Sequence, residues 1–254
     1  MKIIDVSTFQ GVIDWNKVKD EGELYGAILR AGYGKGNIDA QFVRNATECN
    51  RLGIPIGVYW FSYALNAADA TEEAKYCLSA IQNFKIELPV CFDFEYDSES
   101  YMKKKGVTPK RDLNTAIVKA FCQVVEKAGY YSMVYANNDF LSYHFADLSA
   151  YDLWLAQWPK TVNLSKPPRK CGIWQWGSST VPGISGTVDT NESYRDYVSV
   201  IRDAGLNHLQ DAQQPEPPKD EQPAETDKPK RTAEDVLKDI IKIVADYLND
   251  QVES

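Results

Sequence analysis

Two carboxylates set one residue apart stand in the segment Leu-Pro-Val-Cys-Phe-Asp-Phe-Glu-Tyr-Asp at residues 88–97. Its β-prone alternation predicts a strand over 88–96, with Asp93 and Glu95 two steps apart on one face. Their side chains would then stand roughly 6–7 Å from each other at about 3.3 Å rise per residue. Mutual repulsion and partial burial can keep one protonated while the other stays ionised. One acid beside one anion is the pair needed to break an acetal or glycosidic bond. The plainer alternative is a strand-end pair that caps a loop or holds a cation.

Such a pair needs a scaffold, and the 254-residue chain carries one. Strand-type runs fall at 2–6, 25–31, 55–63, 88–96, 131–136, 152–158, 171–176 and 186–189. Helical patterns fall at 14–21, 39–52, 67–84, 112–128 and 191–204, the fourth with Asp112 as its expected N-cap. Helices and strands alternate early and strands crowd late. The pattern predicts an α/β fold, an irregular (β/α) barrel of about eight strands with fewer than eight helices, spanning 1–206. Residues 207–231 are rich in Pro, Glu and Asp and read as a solvated linker. Residues 232–254 regain helical periodicity, with Leu237, Ile240, Val244 and Tyr247 on one stripe. That amphipathic helix is too short to stand alone and is expected to self-associate over 232–250 or to dock on a partner.

In barrels of this kind chemistry gathers at the C-terminal ends of strands. Those ends supply Asp5, Tyr59, Tyr63, Asp93, Glu95, Gln157, Gln175 and Asp189. Four acids converging on one rim repel one another, so their presence there calls for a use. Composition narrows the chemistry. Only two histidines, His144 and His208, occur, which excludes a multi-histidine zinc site and leaves any Ser/Cys–His mechanism to His144 alone. His144, between Tyr143 and Phe145, reads instead as a packed or surface histidine. The five scattered cysteines form no CxxC and read as buried thiols of a reducing compartment. A net charge of −8 argues against nucleic acid as a partner, and 6 Lys/Arg against 12 Asp/Glu over residues 207–254 place the acidity mainly in the tail. No apolar run is long enough to insert in a membrane. The start Met-Lys-Ile-Ile-Asp-Val-Ser does not read as a signal peptide, so synthesis is expected in the cytoplasm.

Seven ordered blocks then carry a resemblance. They are Asp-Val-Ser-Thr-Phe-Gln-Gly-Val-Ile-Asp-Trp (5–15), Arg-Ala-Gly-Tyr-Gly (30–34), Gly-Val-Tyr-Trp-Phe-Ser-Tyr (57–63), Asp-Phe-Glu (93–95), Trp-Leu-Ala-Gln-Trp (154–158), Trp-Gln-Trp (174–176) and Val-Pro-Gly-Ile-Ser-Gly-Thr-Val-Asp-Thr-Asn (181–191). Together they resemble glycoside hydrolase family 25, the muramidases of phages, bacteria and some fungi, across about residues 1–206. The resemblance implies hydrolysis of the β-1,4 bond between N-acetylmuramic acid and N-acetylglucosamine in peptidoglycan, with no cofactor. By position it implies Glu95 as general acid and Asp93 as the anion that orients the 2-acetamido group or offsets charge at the anomeric carbon. Asp5 and Asp189 become flanking acids that hold water and substrate. It further implies an endolysin-type enzyme that reaches the bacterial wall through a holin pore.

Among the aromatics, strand parity sends Trp174 and Trp176 away from the side of Gln175. Tyr59 and Tyr63, then Tyr33 and Trp158, are the expected sugar contacts, with Gln157 beside them. Trp60 departs from the family's usual smaller or polar aromatic. Two rival readings use the same residues: a non-catalytic glycan-binding or assembly module, and a metal-dependent deacetylase or phosphodiesterase that uses the acidic rim.

Overall fold

A computed structural model describes residues 1–210. The expected linker beyond 210 and the expected helix at 232–250 lie outside the described residues. Nine strands form one sheet: β1 (Lys2–Val6), β2 (Leu24–Tyr33), β3 (Asn37–Ile38), β4 (Ile56–Phe61), β5 (Val90–Asp93), β6 (Ser132–Asn137), β7 (Asp152–Ala156), β8 (Ile173–Ser179) and β9 (Val188–Ser193). β1 pairs with β2 in parallel and with β9 in antiparallel, which closes eight strands into a barrel. The two-residue β3 only hairpins back onto β2. β9 runs against both neighbours, while the other barrel strands are mutually parallel.

Helices cover the early connections and then run out, as the spacing predicts. α1 (Trp15–Asp20), α2 (Phe42–Leu52), α3 (Ala67–Ile81), α4 (Tyr96–Lys104) and α5 (Arg111–Lys127) precede β6. Beyond it, among the described residues, come a single π-type turn, Phe140–His144, and α6 (Tyr197–Asp203). Strand alternation builds two cores. Outward side chains such as Ile4, Leu29, Val58, Trp60, Phe92 and Phe94 pack under the helices. Inward ones, including Ile3, Ile28, Cys91, Met133, Trp154 and Ile173, fill the barrel, and Tyr197 and Ile201 of α6 join that inner cluster. Trp60 belongs to the outer layer, away from the cleft, and donates its indole N–H to the Gly34 carbonyl at 3.1 Å. A Cβ on Gly32 would lie 2.5 Å from the Trp60 ring and 2.3 Å from the Asn37 carbonyl oxygen, so only glycine fits beneath that indole. Among the described residues no helix is long and apolar enough to cross a membrane.

Four expectations shift. The strand expected over 88–96 stops at Asp93, because Glu95 already caps α4, a helix the periodicity does not announce. Lys110, not Asp112, is the N-cap of α5, and Asp112 sits in its first turn. The pattern at 191–204 divides between the end of β9 and α6. Residues 207–210, which composition assigns to the linker, still lie against the barrel. The Asn207 amide donates to the Ile86 and Leu88 carbonyls at 3.0 and 3.1 Å and accepts from the Tyr131 N–H at 2.7 Å. Asn207→Ala would leave three backbone groups unpaired at a buried position. A loss of about 3 kcal/mol is expected, read as a lowered denaturation midpoint with an unchanged denaturant slope.

Candidate active site

The C-terminal ends of the parallel strands form the mouth of the barrel, and the four acids meet there. Asp5, next to last in β1, lies directly opposite Asp189 of β9, a cross-strand pairing that sets Cβ atoms about 5 Å apart. Asp93 is the last residue of β5, in register with Phe61 on one side and Tyr135 on the other. Glu95 leaves the sheet but keeps the parity of the strand. Phe94 between them turns outward, where it stacks with Phe92 and meets Phe140 and Phe145. Glu95 retains extended backbone, φ −130° and ψ −168°, and its N–H donates to the Ser98 hydroxyl at 3.1 Å. Its carboxyl thus returns to the side of Asp93.

An amide network fixes Asp5. The Trp154 indole N–H donates to Asn191 Oδ1 at 2.7 Å, and the Tyr135 hydroxyl to Gln175 Oε1 at 3.1 Å. Both amides are thereby oriented with their NH₂ groups inward. Those groups donate to Asp5 Oδ2 at 2.8 Å from Asn191 and 3.1 Å from Gln175. Even so, burial and the facing Asp189 push Asp5 up to about 7.

The central pair is raised as well. Asp93 is 5 % exposed and its Oδ1 has no hydrogen-bond partner. Burial, then Glu95 and Asp5, lift it well above the ordinary aspartate range, and the Arg30 guanidinium opposes them. Burial, then Asp97 and Asp189, raise Glu95, while burial alone raises Asp189. Burial and mutual repulsion thus favour the retention of protons among the four carboxyls of this mouth.

The expected sugar contacts divide by depth. Tyr59 meets Trp154 edge-on at 6.1 Å and, half-buried, lies deeper in the barrel than the other expected contacts. Tyr63 lies past the end of β4 and not on it. It packs against Tyr33, Phe61 and Tyr101 with ring centroids 6.4, 5.1 and 5.1 Å away, making an aromatic lip from which Tyr33 protrudes. On the opposite side Trp158 is 53 % exposed yet tethered by its indole N–H to Gln175 Oε1 at 3.2 Å. Gln157 accepts from Asn138 Nδ2 at 2.9 Å, and its backbone carbonyl receives the Trp174 indole N–H. Trp174 is buried in the barrel wall, as parity requires.

Sequence reasoning passed over Arg30, Tyr135 and Asn191. Arg30 donates to the buried Asp39 at 2.7 Å and lies against the rings of Phe9 and Tyr33, 4.9 and 5.6 Å from their centroids. It brings positive charge to a mouth of four acids. A lone cation within the apolar run Ala-Ile-Leu-Arg-Ala-Gly, on the same face as inward Ile28, was the available signal.

The profile of Glycosyl hydrolases family 25 matches residues 4–184. The "Autolytic lysozyme" of Clostridium acetobutylicum is 25 % identical over 196 residues, 76 % of this chain and 55 % of that protein. "Lysozyme M1" of Streptomyces globisporus is 27 % identical over 200 residues, 74 % of this chain and 66 % of that protein. The chain therefore spans less than two thirds of the length of these curated relatives. Among solved structures, the CTP1L endolysin superposes with a TM-score of 0.66 at 26 % identity, covering 80 % of this chain and 69 % of that one. The modular autolysin LytC of Streptococcus pneumoniae gives 0.63 at 32 % identity, with 75 % and 46 % covered. The mouth acids Asp5, Asp93 and Glu95 fall within the matched span, and on that match the chain belongs to glycosyl hydrolase family 25.

Proposed function

We propose that the chain is an N-acetylmuramidase, cleaving the β-1,4 bond between N-acetylmuramic acid and N-acetylglucosamine with retention of configuration. One observation carries this reading: Asp93 and Glu95 share one acidic patch in a barrel mouth whose rim carries the exposed aromatics Tyr33 and Trp158. The relatives named lysozyme, and LytC solved with a synthetic peptidoglycan ligand, support the substrate class.

Glu95, the less buried of the pair, delivers its proton to the leaving oxygen as the bond to the anomeric carbon breaks. The substrate's acetamido oxygen attacks that carbon from the opposite face and forms a cyclic, positively charged intermediate. Burial favours a proton on Asp93, but Arg30 opposes that at Asp93 while Asp97 raises Glu95. The acetamido N–H and the growing positive charge give Asp93 Oδ1 the partner it lacks in the free site, which tips the pair towards anionic Asp93 and protonated Glu95. Glu95, now a carboxylate, takes a proton from the water that opens the intermediate. Asp5 and Asp189 orient that water and the sugar. The enzyme acts on the bacterial wall after release through a holin pore.

Mass spectrometry of digested peptidoglycan tests the bond, with reducing-end muramic acid expected. Reducing-end glucosamine or freed peptide would overturn it. NMR of fresh product tests the stereochemistry: the β-anomer is expected, and a predominant α-anomer would exclude retention. Activity that EDTA abolishes and a divalent cation restores would establish the metal-dependent rival instead.

A further inference from the structure

Just outside the mouth, His144 stands between two carboxylates. Its Nδ1 is 2.7 Å from Glu99 Oε1 and its Nε2 is 3.1 Å from Asp139 Oδ2. The ring stacks on Phe140, with centroids 4.3 Å apart and planes 17° from parallel. Each acid leads to the start of α4. The backbone N–H of Glu99 donates to the Glu95 carbonyl at 3.2 Å, and Glu99 is buried, with Asn114 of α5 donating to its Oε1 at 2.8 Å. Lys103 stands 4.0 Å from its other oxygen. Asp139 accepts the Tyr96 hydroxyl at 2.8 Å, and Tyr96 directly follows Glu95.

This arrangement answers a mechanical need. β5 ends at Asp93, so no ladder hydrogen bond fixes Glu95; locally it is held through its capping contact with Ser98, at the start of a helix only nine residues long. First turns of short helices are the parts that fray. We propose that His144 is a positioning residue for Glu95. It ties the segment after β6 to the first turn of α4 through Glu99 and through Asp139 and Tyr96, and so keeps the Glu95 carboxyl in the mouth. The inference rests on Glu95 being the general acid.

His144 also compensates the buried Glu99, a purely structural task, so the test must separate the two roles. The full chain, His144→Gln and a Tyr143→Ala control are compared in kcat and KM on purified peptidoglycan. The titration of Glu95 is followed by NMR of its labelled carboxyl carbon. For His144→Gln, kcat is expected to fall about tenfold, as loosened catalytic geometry does, with KM nearly unchanged. Its Glu95 midpoint is expected to drop by about half a unit towards the ordinary glutamate value as the carboxyl gains solvent. Tyr143→Ala moves neither. A folded His144→Gln with wild-type kcat and an unmoved Glu95 midpoint overturns the proposal, whatever its melting temperature. Should His144→Gln fail to fold, Asp139→Asn, which removes the outer tie only, must lower kcat and the Glu95 midpoint in the same directions or the proposal fails. If wild type releases no glycan at all, the functional reading fails, and the Glu95 midpoint alone decides the positioning role.

Discussion

Glu95→Gln is expected to lower kcat on purified peptidoglycan by about a thousandfold while leaving KM and the fold nearly unchanged, as loss of a general acid does. Glutamine keeps the volume of the side chain, and the backbone N–H at position 95 still reaches the Ser98 hydroxyl. Removing one carboxyl from a repelling group cannot destabilise it through charge, since every charged neighbour acting on Glu95 raises it. What disappears is the proton for the leaving oxygen, which an amide does not give up. Release of reducing ends, followed under saturating glycan, checks the result. Equal rates for wild type and variant would remove Glu95 from the mechanism and return the acidic mouth to a binding role.

Asp93→Asn is expected to cost about a hundredfold in kcat and, unusually for an active-site variant, to raise thermal stability at neutral pH. An unfolded aspartic acid titrates near 3.8, whereas in the fold Asp5 is held at about 7 and Asp93 is also pushed upward. Between those values the folded protein binds protons that the unfolded chain has released. Stability therefore falls as pH rises through that window, by on the order of 4 kcal/mol for a shift the size of that at Asp5. Asparagine at position 93 removes one of these groups. The variant should melt above wild type at pH 7.5, and the gap should shrink towards pH 4, where the wild-type carboxyl is protonated in both states. Calorimetric scans across that range check it. A variant less stable than wild type at pH 7.5 would mean that Asp93 is not held in a destabilised state.

Two kinds of information decided how much could be read from sequence. Periodicity sees one strand or helix at a time, and it placed β1, α2 and the scarcity of late helices because those signals are local. It failed at Glu95, where alternation of apolar and polar residues continues through a change of backbone from strand to helix cap. The face was right although the element was wrong, since an extended N-cap preserves the two-residue parity. The depth of Tyr59 was not legible for a different reason: depth within a barrel depends on where neighbouring strands end, which no single strand records. Arg30 and Asn191 act through partners outside their own strands, Asp39 and the Trp154 indole among them. Their spacing carried no hint of that company. At Asn207 composition misled, because a residue beside a polar linker was paired with three backbone groups of the barrel.

The seam between β1 and β9 has a consequence for how the molecule is made. Asp5 and Asp189 come face to face only when β1 meets β9, the first and last strands among the described residues, and such far-separated pairings form late and slowly because a long loop must be closed first. A nascent chain still missing β9 holds Asp93 and Glu95 but has an open ring, with Asp5 lacking the amide of Asn191. Closure of the ring, and with it the pairing of Asp5 with the Asn191 amide, should therefore wait until β9 has been made.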